Sequence, residues 1–138
     1  MSAGSAAVTA AEADWDDLFR RAREVAGNAY CPYSRYHVGA AGLVDDGRIL
    51  VGCNAENASY GLGLCAECSL VCALHTTGGG RLVAVAVVGG YDVDDLPAGK
   101  PCGRCRQVLY EVGGPDLVIN RDVTLADLLP DAFGPQDL

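Results

Sequence analysis

The stretch RLVAVAVVGG at 81–90 constrains the fold more than any other. Its apolar residues run on without the alternation of a half-exposed strand, which marks a strand buried within a sheet. Helical patterns flank it on both sides. Trp15, Leu18, Phe19, Ala22, Val25 and Ala26 recur at helical spacing, so a first helix is expected to end near Gly27. Thr9 and Glu12 stand ahead of it at capping-box spacing. YCPYSRYHVGA breaks that pattern at Pro32 and leads into a strand from His37 to Val44. DDG at 45–47 signals a hairpin, and RILVG at 48–52 returns as its second strand. After the loop NAENASYGLGL, a helix is predicted from about Ala66 to Thr77, stopped by GGG at 78–80. Beyond the buried strand come a helix from Pro101 through Glu111, a fourth strand in DLVIN, and a short final helix opening at Thr124. Alternation of this kind implies an α/β layered domain. With no linker or repeat in its 138 residues, the chain reads as a single domain, 1–138, with 1–8 expected to be disordered.

Charge and apolar content exclude several classes of partner. The formal net charge is −8 with only ten basic residues, which argues against nucleic acid. The one basic cluster, RRAR at 20–23, reads as a solvated helix face. The longest apolar run, LVAVAVV at 82–88, is too short to span a membrane. The first residues lack the basic region and apolar core of a signal peptide. The seven cysteines are therefore expected as reduced thiols in the cytoplasm.

Four of those cysteines form two C-x-x-C pairs, Cys65 with Cys68 and Cys102 with Cys105. Each pair opens a predicted helix. A helix N-terminus presents free N–H groups and a partial positive charge, which favours a thiolate. Cys102 and Cys105, at i and i+3, share a helical face, and Cys65 comes across from the other helix. Three protein ligands leave one tetrahedral position for water, the arrangement of a catalytic zinc ion. Glu67, two residues past Cys65, is placed to move a proton without touching the metal. C-x-E followed by P-C-x-x-C is a signature of zinc deaminases, here with cysteine at the position of the common histidine. The rival reading makes Cys68 a fourth thiolate, which would close the site and leave Glu67 idle. A further reading has Cys68 and Cys72 as small core residues, as free cysteines usually are, and another has Cys68 as a thiol that touches the ligands without binding the metal. Cys31 and Cys53 read as packing residues, and His37 and His75 lack companions at ligand spacing.

The segments YCPYSRYHVGAA, GCNAENASYG, CAE, PCGRCRQVL and LLPDAF resemble the small homotetrameric cytidine deaminases from about residue 12 to 134. The resemblance implies a three-layer α/β/α fold with a mixed sheet of about four to five strands. It implies one zinc ion per subunit held by Cys65, Cys102 and Cys105, with Glu67 as the catalytic proton shuttle. Asn54 and Glu56 match the family's ribose-binding pair, and the backbone around Ala66 would meet the pyrimidine edge. Tyr36 stands where relatives carry a phenylalanine near the ring. Ala58, Tyr60 and Phe133 look like residues that complete a neighbouring subunit's pocket. The implied reaction is hydrolytic deamination of cytidine and deoxycytidine in pyrimidine salvage. An aminonucleoside-antibiotic deaminase of the blasticidin type, or a non-enzymatic four-cysteine zinc module, are the alternatives. The chain departs from the common pattern at Cys68, where many relatives carry an arginine that donates to the ligand thiolates. Arg104 is a candidate for that task. LVINRDVTLADLL leaves little room for the longer final hairpin of many relatives, so the last edge strand is expected to be short or missing.

Overall fold

The computed structural model describes residues 6–138. A five-stranded mixed sheet lies at its centre, in the order β2-β1-β3-β4-β5. Strand β1 (His37–Val44) pairs antiparallel with both β2 (Ile49–Cys53) and β3 (Leu82–Gly90). Strand β4 (Val118–Ile119) runs parallel to β3 and pairs antiparallel with β5 (Val123–Thr124). The final edge strand thus exists but spans two residues.

Alternation along the two longest strands builds a core on each face. Ala41 and Leu43 of β1, with Ala84, Ala86 and Val88 of β3, face helix α1 (Trp15–Ala26) through Leu18, Ala22 and Ala26. Ala40, Val44, Val85 and Val87 point the other way. They meet Leu70 and Leu74 of α2 (Ala66–Thr76), Leu109 and Val112 of α3 (Gly103–Gly113) and Leu125 of α4 (Leu125–Leu128). The result is the expected three-layer α/β/α arrangement. Burying each leucine stabilises the fold by roughly 1.5–3 kcal/mol, so the helices are held firmly on the sheet.

Two close approaches set where α1 and α2 lie. A Cβ on Gly39 would stand 1.9 Å from the Ala22 carbonyl oxygen of α1. A Cβ on Gly52 would stand 2.5 Å from the Ala66 carbonyl oxygen and 2.6 Å from the Leu70 nitrogen of α2. Only glycine lets each helix backbone sit that near the sheet.

Some local readings need correction. Thr9 does not cap; residues Ala10–Glu12 form a separate 3-10 turn, and Asp14 caps α1 by accepting the Asp17 N–H at 3.2 Å. The disorder expected over 1–8 does not extend to Val8, whose N–H donates to the Asp45 carbonyl at 2.8 Å while its side chain packs on the α1-side core. Residues 1–5 of that segment lie outside the described residues. Cys72 is exposed rather than a core residue, because it falls on the outer face of α2. Cys31 is buried, and Cys53 is half-buried.

Candidate metal centre

The N-termini of α2 and α3 converge on one point at the end of the sheet. Cys65 occupies the N-cap of α2 and Cys102 the N-cap of α3, with their sulfurs 3.9 Å apart. Cys105, one turn into α3, is fully buried, and its sulfur lies within 4.8 Å of the other two. Three sulfurs on a tetrahedral zinc ion with bonds near 2.3 Å would be spaced by roughly 3.8 Å. Both the spacing and the soft donor set therefore fit zinc. Cys68 lies outside this three-sulfur group.

Electrostatics within the cluster differ from thiol to thiol. Burial pushes the Cys105 and Cys65 thiols up. Burial also pushes Cys102 up, but the backbone amides of Cys105 and Arg104 and the neighbouring thiols outweigh it, leaving a net shift down. Helix N-terminal N–H groups thus act on this sulfur in the way expected at an N-cap.

Glu67 is the sole buried charged residue among the described residues, at 3% exposure. Its carboxyl is held above the ordinary range by burial, against smaller opposing effects of its own backbone N–H and Cys105. It lines a cavity of about 380 Å³ together with Cys65, Cys102, Ala66, Asn54 and Tyr36. That volume suits a small organic molecule.

The sugar-side candidates sit on one extended segment. Asn54, Ala55 and Glu56 are zipped to Tyr30 on one side and Leu64 on the other by backbone hydrogen bonds. The Asn54 side chain accepts the Val38 N–H and donates to the Tyr36 carbonyl, both at 2.9 Å. Glu56 accepts the backbone N–H groups of Tyr33 and Ser34 at 3.1 Å each, and the Ser34 hydroxyl. Tyr36 packs edge-on against Tyr91 at 5.0 Å between ring centroids, over Gly89, where a Cβ would collide with its hydroxyl at 2.9 Å.

Ala58, Tyr60 and Phe133 do not join this lining. Tyr60 is 81% exposed and stacks obliquely on Tyr33 beside an adjoining hollow of about 300 Å³ that shares Glu56 and Gly63. Phe133 is 61% exposed, with its carbonyl held by Gln107 at 2.8 Å. Two residues of the site went unrecognised in the sequence. Lys100, the chain's only lysine, lines the metal-side cavity. Asn120, in left-handed backbone conformation, accepts the Val87 N–H and donates to Gly99, both at 2.8 Å, fixing the loop that enters Cys102. That lysine is unique was a visible signal; the reach of Asn120 across the fold was not.

Three converging thiols, two of them lining one cavity with a buried carboxylate, carried on an α/β sheet, are the parts of a metal-dependent hydrolytic enzyme. Comparison with known proteins narrows this class. The family described as "Cytidine and deoxycytidylate deaminase zinc-binding region" matches residues 13–121. The chain belongs to that family, and zinc is its cofactor. A cytidine deaminase of Mycobacterium tuberculosis is 58% identical over 130 residues, covering 92% of this chain and 95% of its own. One from Halalkalibacterium halodurans is 39% identical, covering 88% of this chain and 95% of its own. The crystal structure of the Mycobacterium tuberculosis cytidine deaminase superposes with a TM-score of 0.83 at 58% identity, over 89% of this chain and 99% of that one.

Proposed function

We propose that this chain hydrolyses cytidine and deoxycytidine to uridine and deoxyuridine, releasing ammonia, as a cytoplasmic step of pyrimidine salvage. The observation that carries this reading is the buried Glu67 carboxyl lining the same cavity as Cys65 and Cys102. The identities to named cytidine deaminases support the choice of substrate.

Cys65, Cys102 and Cys105 would hold the zinc, which supplies Lewis acidity that makes water a competent nucleophile near neutral pH. Glu67 takes a proton from the water whose oxygen adds to C4 of the pyrimidine, and delivers it to N3. It then passes the second proton to the departing amine, so that one water is consumed and one ammonia leaves. Burial keeps bulk solvent from Glu67 and lets the carboxyl hold a proton between these steps. The Ala66 backbone meets the pyrimidine edge and Tyr36 lies near its ring. Asn54 and Glu56 bind the sugar hydroxyls, and their own hydrogen bonds to the 33–38 segment hold them in place.

The active unit in this reading is a homotetramer, in which Ala58, Tyr60 and Phe133 complete a neighbour's pocket. Their exposure, and their absence from the lining of their own chain's metal-side cavity, support it. The test is to supply the zinc-loaded protein with cytidine, deoxycytidine and blasticidin S, following ammonia and product. Equimolar uridine and ammonia from cytidine, in a particle of tetramer mass, is the expected result. Turnover of blasticidin S alone would replace the reading.

A further inference from the structure

We propose that Arg104 is a positioning residue for the metal centre, clamping the Gly63–Cys68 segment to α3 and offsetting the negative charge of the thiolate cluster. The inference rests on the reading that Cys65, Cys102 and Cys105 hold zinc. One guanidinium nitrogen of Arg104 reaches the Gly63 carbonyl at 3.3 Å, the Cys65 sulfur at 3.9 Å and the Cys68 sulfur at 3.8 Å. It thus joins the N-terminus of α3 to the N-terminus of α2.

Its placement is otherwise unfavourable. Arg104 is the second residue of α3, where the helix dipole disfavours a cation, and the first turn holds no acidic residue. Among the described residues no carboxylate pairs with it. For a cation set against the dipole and without a carboxylate partner, the thiolates it touches are the negative charge closest to hand. Three thiolates around a divalent ion carry a net −1, and arginine keeps its charge and its donors at every accessible pH. Cys68, standing outside the three-sulfur group, accepts from Arg104 without competing for the metal. This gives the second cysteine of the C-A-E-C pair a task that neither a core residue nor a fourth ligand would have.

Groups that donate to metal ligands typically change metal affinity ten- to a hundredfold when removed. Arg104 is exposed, so the lower figure applies. The test compares zinc-loaded wild type with Arg104→Ala and Arg104→Lys. Metal content and sulfur coordination of the wild type come first; absence of zinc bound by three sulfurs there overturns the underlying metal reading itself. With that in hand, zinc release to a chromogenic chelator is expected to be about tenfold faster in Arg104→Ala and intermediate in Arg104→Lys. In the cobalt-substituted proteins, the sulfur-to-metal charge-transfer band is expected at longer wavelength in Arg104→Ala, since the sulfurs lose a cationic neighbour. It should return part of the way in Arg104→Lys. An unchanged release rate overturns the proposal. So does faster release with an unmoved band, because a merely structural contact would behave in that way.

Discussion

The Ser34 hydroxyl donates to one oxygen of the Glu56 carboxylate, while the other oxygen accepts the Tyr33 and Ser34 backbone N–H groups at 3.1 Å each. Those donors, the Ser34 hydroxyl first, hold the Glu56 carboxyl below the ordinary carboxylate range. A group whose pKa is depressed in the folded protein keeps its bonds above its unfolded value and loses them as pH falls through its folded value. Cytidine KM is therefore expected to be insensitive to Glu56 between neutrality and the ordinary carboxylate range, and to rise only below it. Ser34→Ala should move that rise to higher pH and raise KM at neutrality by about three- to tenfold. A KM–pH profile of the variant that overlays the wild type rules out this role for Ser34.

Gly52 supports the site from beneath the start of α2. A Cβ added there would meet the backbone of α2 at Ala66 and Leu70, and backbone cannot swing aside as a long side chain can. Gly52→Ala should lift the start of α2 off β2, costing about 1–3 kcal/mol. Because Cys65 caps that helix, zinc content per chain should fall with it. Gly61→Ala, where nothing lies within 4 Å of the added carbon, is the matched control and should alter neither. Thermal unfolding and metal analysis of the two variants decide the matter.

Glu67 is argued to move protons without touching the metal, and that separation is measurable. Glu67→Gln preserves shape and burial but cannot exchange a proton. It should retain full zinc content while turnover of cytidine falls by roughly 10²–10⁴. Loss of zinc from this variant would make Glu67 part of the metal's support instead.

Much of this was legible in the chain because the signals were local. The continuous apolar run at 82–88 marked β3, and the span His37–Val44 matched β1 residue for residue. The two C-x-x-C pairs could be placed on helix starts, because capping positions follow from the loop-to-helix pattern. What sequence spacing left open was decided by contacts across the fold. Whether Cys68 joined the sulfur group depended on how α2 and α3 pack, which periodicity does not encode. Asn120 reaches Val87 and Gly99 over separations that no local pattern announces, whereas the contact of Arg104 with Cys65 was expected from the family resemblance and only its contact with Gly63 was not. The Thr9 cap failed for a local reason instead: Asp14 lay closer to the apolar stripe and took the role.

Removing the metal tests whether zinc serves chemistry or folding. Fully buried leucines on both sides of the sheet, at Leu18, Leu70, Leu74, Leu82 and Leu109, make a core that does not depend on the cluster. Chelation should therefore abolish turnover yet leave a cooperatively folded protein with unchanged far-ultraviolet circular dichroism. Zinc at a hundredfold excess over its Kd stabilises by about 2.7 kcal/mol, so the apo form should melt roughly 10 °C lower. The loss should be reversible, because the cluster is built from two helix starts that the core holds in place without it. Adding zinc back to the chelated protein should restore both the melting temperature and turnover. Collapse of the helical signal on chelation would instead make zinc a folding element, as in small domains that lack a sufficient core.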